Sequence, residues 1–585
     1  MSDRNQNAHE NLAYWFVLAD AQRSPTARRL RPAFALVSAL LFALALAATT
    51  LVLLRVIAAP AGIDAGGGLV VIGVLAAPLV VWSAAVSRRA LWVQQEGRVT
   101  ELISETIALL AAVKTVKALQ TDAQGRQVAV DLSVPNIEVR TGALLSLERI
   151  ARDSVIHGRG RDHVRVMEIL CAYIRENAPA RDAAEFPLPD WTALPEQADA
   201  AARRQHEMWR RARFSPQFDD NARDWAQSLA GPRVDIQMAL DILARRNPAQ
   251  RLAEAEWGAA PGEDPNWVFD SEGFEDLPEA ATGDTVAAQT IKAFLRRLTG
   301  WREIVWAYPG YRIDLRRTNL QGADLSGALL CGARLEGARL EGAKLAGARL
   351  EGAHMDEAHL QGANLFEAQM QGARMFAARL EGAYLRRARL EAALLQEARM
   401  EGALLYRARM QGADLRGAHL EAADLGEARL EGAKLTGARL EGSSLYEAHM
   451  EVANLFEARM DKARLFETRL EGADLRGADM AGAFITRARM DANTALSAAN
   501  MRGAALREVD FSAVPIAADQ ITASFGDASV ILPGHVGPGG PDWPGHWPQW
   551  QLPLGIPDAN DFPTQWNAWR AGPEAYTPPP PPAAA

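Results

Sequence analysis

Two long apolar runs stand near the start of the chain. Residues 33–54 contain no charged side chain, and a second apolar run covers residues 69–86. About 20 helical residues cross the ~30 Å hydrocarbon layer of a bilayer, so the two runs predict a transmembrane helical hairpin. Arginines flank both runs: Arg28, Arg29, Arg31, Arg88 and Arg89. The positive-inside rule then predicts a two-pass protein of the inner (plasma) membrane with most of the chain in the cytoplasm. A cleaved signal peptide is the alternative, but the first run is too long and begins too far from Met1.

Apolar residues at helical spacing mark the next part of the chain. Segments 139–152 and 163–177 each carry one apolar face, which predicts an antiparallel helical pair with Asp162 as the N-cap of the second helix. A third helix is predicted from about Val234 to Arg246, because Pro248 cannot continue it. The remainder of 180–290 is typical of a linker with short helices.

Four titratable residues lie close together around the first two predicted helices: His157, His163, Asp153 and Asp162. They admit two interpretations, a metal or catalytic cluster and a set of helix caps and solvated charges. We favour the second, because His and Asp commonly occupy helix ends.

A strict five-residue period dominates the second half of the chain. From Leu315 to Met490 every fifth residue is Leu, Met or Ile, and the residue two places earlier is nearly always Ala. Five residues advance a helix by about 500°, so these positions would form no helical stripe. In an extended chain the Ala and the Leu point to the same side, and the Gly-containing remainder bends the chain. The pattern therefore predicts stacked coils whose short walls form parallel ladders around a Leu/Ala core.

The segment IDLRRTNLQGADLSGALLCGARLEGARLEGAKL at 313–345 resembles the pentapeptide-repeat family. This resemblance implies a right-handed quadrilateral parallel β-helix with four units, or twenty residues, in each coil. The period slips by one residue near Asn493, after which Leu496, Met501, Leu506 and Phe511 continue it. Segments 96–110, 136–154, 162–179, 233–247 and 564–580 are similar to bacterial members that carry a two-span N-terminal anchor. Residues 248–310 depart from that pattern and have the character of an insertion.

The outward positions also depart from the family pattern. Arg mostly stands just before the central Leu and Glu just after it, where the family favours Asp or Asn before the Leu. We expect both side chains to point outward and to form cross-rung Arg–Glu ladders that make the coils soluble, each exposed pair contributing only ~0–1 kcal/mol.

Charge and composition narrow the function classes. The formal charge of −9 gives no reason to expect binding to a polyanion, and two cysteines, Cys171 and Cys331, cannot build a disulfide framework or a multi-cysteine zinc site. The chain contains no nucleotide-binding or hydrolase motif, so we expect no catalytic residue, no metal, no cofactor and no small-molecule substrate.

Some members of the family mimic DNA and protect or inhibit gyrase. Residues 311–512 hold 28 basic and 29 acidic side chains, and this near-neutral balance disfavours such mimicry.

The remaining hypothesis is a membrane-anchored, non-enzymatic scaffold that binds an unknown protein partner. Side chains twenty residues apart stack on one wall, and one outward wall carries aromatic and apolar residues between two charged walls. These candidate partner-binding residues are Phe366, Tyr384, Leu404, Tyr406, Tyr446, Phe466 and Phe484. An alternative is that the rings stack only for stability. The partner, the oligomeric state and the role of the helical middle stay open.

The ends of the array should carry caps, because open strand edges invite aggregation. We expect the helical segment within 290–310 to cap the first coil, and the run at 528–534 or the Trp-rich tail to cap the last.

From about 533 the tail should be an irregular strap, either packed back through its tryptophans or presenting Pro578–Pro582 to another domain.

The sequence thus divides into six segments. They are a cytoplasmic N-terminal segment (1–32), the transmembrane hairpin (33–89), a helical domain (90–180), a helical linker region with an insertion (181–290), the β-helix with its N-terminal cap (291–512) and a Pro/Trp-rich tail (513–585).

Overall fold

The structure is a computed structural model. It describes residues 97–121, 127–157, 160–187, 222–258, 266–270, 288–554 and 560–581, together with residues 201 and 202 and a few helical positions between 47 and 87. The predicted transmembrane hairpin lies almost entirely outside these residues. Within the described part of the chain, no helix combines the length and the apolar character that a membrane span needs. The chain divides into two compact units, Met1–Ile107 and Ala108–Ala585, and the elements labelled below all belong to the second.

The second unit starts with a β-hairpin that the sequence analysis did not predict. Strands β1 (Val113–Thr121) and β2 (Gln127–Pro135) pair antiparallel, with Val113 opposite Pro135 and Thr121 opposite Gln127. Most of their side chains are exposed on both faces of the ribbon. Strand β2 nevertheless has Val128, Val130, Leu132 and Val134 at every second position, a strand pattern that the sequence prediction overlooked.

The predicted helical pair is present as α1 (Ile137–His157) and α2 (Arg161–Asn177). The two helices bury Leu144 and Leu147 of α1 against Leu170 and Ile174 of α2. The prediction that Asp162 caps α2 is wrong. Gly160 holds the N-cap position with a left-handed φ of 72°, and a Cβ there would lie 2.3 Å from that of Ala253, so only glycine fits.

The next part of the chain contains α3 (Ala222–Ser228), the predicted third helix α4 (Val234–Ala244) and α5 (Pro248–Gly258). Helices α3 and α5 lie where a linker with short helices was expected. Helix α4 ends two residues before the predicted position, and Pro248 is the first residue of α5, where the missing N–H of proline costs nothing. A longer helix, α6, spans Ala288–Trp306.

The repeats form a parallel β-helix with twenty residues per coil. Bridge pairs run without interruption from Asp314 opposite Arg334 to Arg469 opposite Arg489. The offset then becomes twenty-one, with Asp474 opposite Ala495, which confirms the one-residue slip. One wall forms a four-stranded parallel sheet at the end of the array. Its strands are β3 (Arg464–Phe466), β4 (Phe484–Thr486), β5 (Ala505–Arg507) and β6 (Phe525–Gly526). The ladder therefore continues past residue 512, the expected boundary.

The five-residue unit is a buried Leu followed by a tight turn. In the unit beginning at Leu320, the N–H of Ala323 donates to the Leu320 carbonyl at 3.1 Å, and Gly322 between them has a φ of 62°. The same left-handed position recurs every five residues, which explains the frequent glycine. The inward-facing Leu and Ala of each unit are almost completely buried in one continuous core.

The first coil is covered by the helical middle and not by α6. Leu240 and Leu243 of α4 and Ile174 of α2 belong to the same core as Leu315, and the N–H of Asn319 donates to the Ala178 carbonyl at 2.7 Å. The expected cap, α6, lies along the side of the array instead. Its Val305 meets Gly352, its Trp301 meets Gly372 and its Leu295 meets both Gly412 and Gly432, which are residues of four different coils.

The last coil is closed by the segments named in the sequence analysis. Val530, Leu532 and Trp547 join the core of the array, next to helix α7 (Ala518–Thr522). The tail also contains a helix that the sequence analysis did not expect, α8 (Phe562–Ala571), whose N-cap Asp561 accepts a hydrogen bond from the Thr564 N–H at 2.8 Å. The tail packs back on the array, where the Trp566 indole N–H donates to the Gly503 carbonyl at 2.9 Å. Within the tail, the Trp550 indole N–H donates to the Pro579 carbonyl at 3.1 Å.

Candidate partner-binding surface

The twenty-residue coil gives the array four outward faces. We call the face whose outward residues run from Asn364 and Phe366 to Phe484 and Thr486 the aromatic face. The two ladder faces flank it, one containing Arg379 and Glu381 and the other Arg389 and Glu391. The remaining face, opposite the aromatic one, contains Phe376.

One column of the aromatic face presents rings to solvent. Phe366 and Tyr446 are 40% and 41% exposed. The rings of Tyr446 and Phe466 stack with centroids 5.3 Å apart and planes inclined by 6°. Tyr406 lies between the Arg386 and Arg407 guanidinium groups, 5.1 and 5.2 Å from its ring centre, and its hydroxyl donates to Glu427. The sequence-predicted stripe of rings is therefore present.

The neighbouring column is partly occupied by other segments of the chain. The Arg223 guanidinium lies 5.5 Å from the ring centre of Tyr384, and Gln227 donates to the Tyr384 hydroxyl at 3.3 Å, both from α3. Phe484 contacts Phe562 and Trp566 of α8, with centroids 6.2 and 5.7 Å away. These two predicted residues serve intramolecular packing. Leu404 is half-buried.

Ion pairs form a rim along the corner beside the open rings. Glu367 pairs with Arg387 at 3.1 Å, and Arg407 pairs with Glu427 at 2.6 Å. At Tyr446, a hydrogen bond with the Glu447 carboxylate and its charge raise the pKa of the phenol to about 12. Tyr446 therefore stays neutral at physiological pH. The centre of the open section is aromatic and its rim is ionic.

A shallow depression of about 290 Å³ lies in the same face. The depression is lined by Ala422, Ala423, Asp424, Gly442, Ser444, Lys462 and Arg464, and the Asp424 carboxylate accepts from the Gly426 N–H at 3.2 Å. The depression is a concave feature of a face that is otherwise nearly flat.

The ladder faces differ from the expectation in one respect. The cross-rung pairs exist, because the Glu381 carboxylate lies 3.1 Å from Arg379 and 3.4 Å from Arg399 of the next coil. Yet Glu381 is completely buried beneath the arginine stems and does not point into solvent. Burial raises the pKa of the Glu381 carboxyl, and the two guanidinium groups oppose that rise. These faces are packed ionic layers rather than loose solubilising charges.

Two corners of the array are covered by helices. Arg223 of α3 donates to the carbonyls of Gly382 and Gly402 at 3.1 and 2.7 Å, and a Cβ at Gly342 would lie 2.0 Å from the Ala226 carbonyl oxygen. Helix α6 follows the diagonally opposite corner, where the Trp306 indole donates to the Gly372 carbonyl at 2.9 Å. Glycine at these corner positions lets the helices approach the backbone.

The sequence analysis missed an exposed ring on the opposite face. Phe376 is 46% exposed, and Phe456 on the same face is covered by the Arg476 guanidinium at 5.8 Å. The twenty-residue register places Phe376 and Phe456 on the same face, so the sequence pattern could have identified both. They are isolated from each other, whereas Tyr446 and Phe466 stack.

Three of the four residues that admitted two interpretations, His163, Asp153 and Asp162, do not meet, and the side chain of the fourth, His157, lies outside the described part of the structure. The His163 imidazole is buried with its Nε2 2.9 Å from Glu254, while Asp153 pairs with Arg149 on the surface and Asp162 accepts from Arg165 at 3.1 Å. Arg246 donates to the other Glu254 oxygen at 2.6 Å, so His163 belongs to a buried structural network joining α2 to α5.

The fold and the faces define a class of protein, a repetitive parallel β-helix that presents its outward side chains on four walls. A family model of pentapeptide repeats matches eight copies within residues 311–491. The array therefore belongs to the pentapeptide-repeat family.

Several solved pentapeptide-repeat structures are similar to the chain. HetL from the cyanobacterium Nostoc, involved in regulation of heterocyst differentiation, is 32% identical, with 33% of this chain and 88% of HetL covered and a TM-score of 0.29. A protein of the Arabidopsis thaliana thylakoid lumen is 28% identical over 19% of this chain and 68% of its own, with a TM-score of 0.14. QnrB1, a plasmid-mediated fluoroquinolone resistance protein, is 17% identical over 32% of this chain and 91% of its own, with a TM-score of 0.17. No curated protein matches the chain significantly.

Proposed function

We propose that this protein is a non-enzymatic scaffold, anchored in the membrane by its N-terminal hairpin, that binds a protein partner on the aromatic face. The observation that carries the proposal is the column of rings, Phe366, Tyr406, Tyr446 and Phe466, of which Phe366 and Tyr446 are exposed. The wall that carries them is bordered by α3 along one corner and by the ionic rim along the other. Exposed aromatic groups within an ionic rim are typical of protein interfaces.

The backbone under these rings favours binding. The Tyr446 carbonyl accepts from the Glu427 N–H of the preceding coil at 2.6 Å, and Phe466 belongs to β3, which pairs with β4. Because the backbone is already ordered, little conformational entropy is lost when a partner covers the rings.

The geometry of the stripe favours an elongated ligand. Phe366 and Phe466 are five coils apart, and at ~4.8 Å per coil the stripe is about 24 Å long. A helix of the partner, with an apolar stripe of similar length, matches this surface. The depression beside Gly426 would accept one larger side chain of that helix.

The anchor would hold the array at the cytoplasmic side of the membrane. Runs 33–54 and 69–86 are long enough for a hairpin, and the arginines that flank it are on one side. DNA mimicry is a poorer explanation, because the acidic side chains of the ladders are matched by arginines and give no strong negative field.

The test is capture of partners from native membranes with the full-length protein. We expect the amount of partner protein that co-purifies with the triple variant Phe366→Ser, Tyr406→Ser, Tyr446→Ser to be at least tenfold lower than with the wild type. The substitutions remove the apolar contacts and change no core residue. Phe376→Ser is the matched control, since it removes an equally exposed ring from the opposite face. Equal recovery with the triple variant and the wild type would show that the rings only stabilise the array.

A further inference from the structure

One ladder face carries a column of arginines with a few exceptions. In the nine coils from Leu329 to Arg489, the outward residue before the central Leu or Met is arginine in six, and the residue after it is an acid in most. The arginines are Arg349, Arg389, Arg409, Arg429, Arg469 and Arg489, and the exceptions are Leu329, Gln369 and His449. At His449 an imidazole that can coordinate a metal ion stands between the permanent cations Arg429 and Arg469.

His449 lies between two carboxylates. Glu451 is two residues further along the same coil, and Glu431 is at the equivalent place in the preceding coil. One ligand atom from each of Glu431, His449 and Glu451 lies within 4.8 Å of the others. The His449 Nδ1 is 3.9 Å from a Glu451 oxygen. Three donors of this kind converge within the reach of one ion.

The backbone holds these donors in register. The Leu430 N–H donates to the His449 carbonyl at 2.7 Å, and the Gly432 N–H donates to the Glu451 carbonyl at 2.9 Å. Both coils are therefore fixed relative to each other at the cluster. A site on a regular ladder needs only side-chain adjustment to close around an ion.

Two buried carboxylate oxygens of the cluster have no hydrogen-bond partner. They are Oε2 of Glu431 and Oε2 of Glu451, and both side chains are 97% buried. Arg429 occupies only the other oxygen of Glu431, to which it donates at 2.8 and 2.9 Å. An unsatisfied buried carboxylate oxygen is costly, and a cation bound by these two carboxylates would reduce that cost.

We propose that Glu431, His449 and Glu451 bind one divalent transition-metal ion of the zinc class. A nitrogen donor with two carboxylates suits Zn²⁺, whereas Mg²⁺ and Ca²⁺ prefer oxygen ligands alone. The His449 side chain is 29% exposed, which leaves an entry path and an open coordination position for water. Arg429 and Arg469 flank the site and oppose a cation, so binding requires both carboxylates to be ionised.

The chain offers its own comparison sites. Glu401, His419 and Glu421 form a cluster of the same design in the other ladder face. His359, also in that face, lies 3.6 Å from Glu341, but Gln361 stands where a second carboxylate would be needed. His359 should therefore bind no ion.

The test uses full-length protein stripped of metal and titrated with Zn²⁺ by calorimetry. His419→Arg serves as the background, so that the second cluster does not contribute. We expect this variant to bind one Zn²⁺ at the proposed site, and adding His449→Arg to weaken that binding at least tenfold. Because arginine occupies this position in most other coils, His449→Arg should leave the fold intact. Adding His359→Arg is the matched control and should change nothing.

Two further measurements separate coordination from charge. His449→Gln removes the imidazole without adding a cation, and it should weaken Zn²⁺ binding as His449→Arg does. Titration with Mg²⁺ should give no heat of binding at the concentrations at which Zn²⁺ saturates the site. The proposal is overturned if the His419→Arg protein binds no Zn²⁺ at 100 times its own concentration, or if His449→Arg and His449→Gln bind it unchanged.

Discussion

Neighbouring residues of identical chemistry have opposite environments in the array. Leu404 and Leu405 are adjacent in sequence, yet Leu405 is completely buried in the core while Leu404 lies half-buried on the aromatic face. The alternation of an extended chain causes this difference, because successive side chains point to opposite sides. Position within the five-residue unit, rather than hydrophobicity, decides what each leucine does.

Leu405→Ala should lower the free energy of unfolding of the coils around it by about 2–5 kcal/mol, because it leaves a cavity in a close-packed core. Leu404→Ala removes the same atoms from a half-buried site and should cost less than about 1.5 kcal/mol. Hydrogen exchange of the surrounding coils in each full-length variant measures the two effects. Equal losses would contradict the inward and outward assignment.

At the scale of elements, glycine has different roles in the turns and in the helices. Gly437 has a left-handed φ of 64° in a turn of the array, whereas Gly142 lies inside α1, and a Cβ added at either would meet no atom within 4 Å. Only the backbone conformation distinguishes the two sites. The array tolerates the left-handed conformation even without glycine, as at Glu357 and Arg407.

The substitution Gly→Ala should therefore have opposite signs at the two sites. Gly437→Ala should destabilise its coil by about 1 kcal/mol, since a Cβ disfavours the left-handed region. Gly142→Ala should stabilise α1 by roughly 0.5–1 kcal/mol, because alanine is the better helix former. Thermal unfolding with hydrogen exchange for each segment measures both. A stabilising Gly437→Ala would rule out strain as the reason for glycine in the turns.

At the scale of the second unit, non-repetitive segments close both ends of the array. Helices α2 and α4 cover the first coil, and Trp547 covers the last, where its indole N–H donates to the Ser524 carbonyl at 2.9 Å. A stack of coils is approximately a one-dimensional system, so the end coils lack one neighbour and depend on such caps. The unpaired strand edges of the array are thereby covered.

Trp547→Ala should uncover the final coil. We expect lower hydrogen-exchange protection in residues 495–532, self-association through the exposed edge and a local loss of about 3–5 kcal/mol. Trp550→Ala is the control, because Trp550 is only partly buried and holds the Pro-rich end of the tail through Pro579. If the two variants self-associate to the same extent, Trp547 is not the cap.

The sequence by itself determined the array. The five-residue period, the inward Leu and Ala, the twenty-residue register and the slip near Asn493 are local properties, and the alternation of an extended chain transmits them directly to the fold. The rings of Phe366, Tyr406, Tyr446 and Phe466 were found in one column for the same reason. The hairpin β1–β2 was not predicted, although Val128, Val130, Leu132 and Val134 alternate along β2.

Only the tertiary structure decided which outward residues stay accessible. Tyr384 is covered by Arg223, which is 161 positions earlier in the chain, and α6 lies along the array although its apolar face suited an end cap equally well. The burial of Glu381 and of the carboxylates around His449 likewise depends on the coils stacked above and below them. Contacts between distant segments are set by shape and packing, and a five-residue pattern contains no information about them.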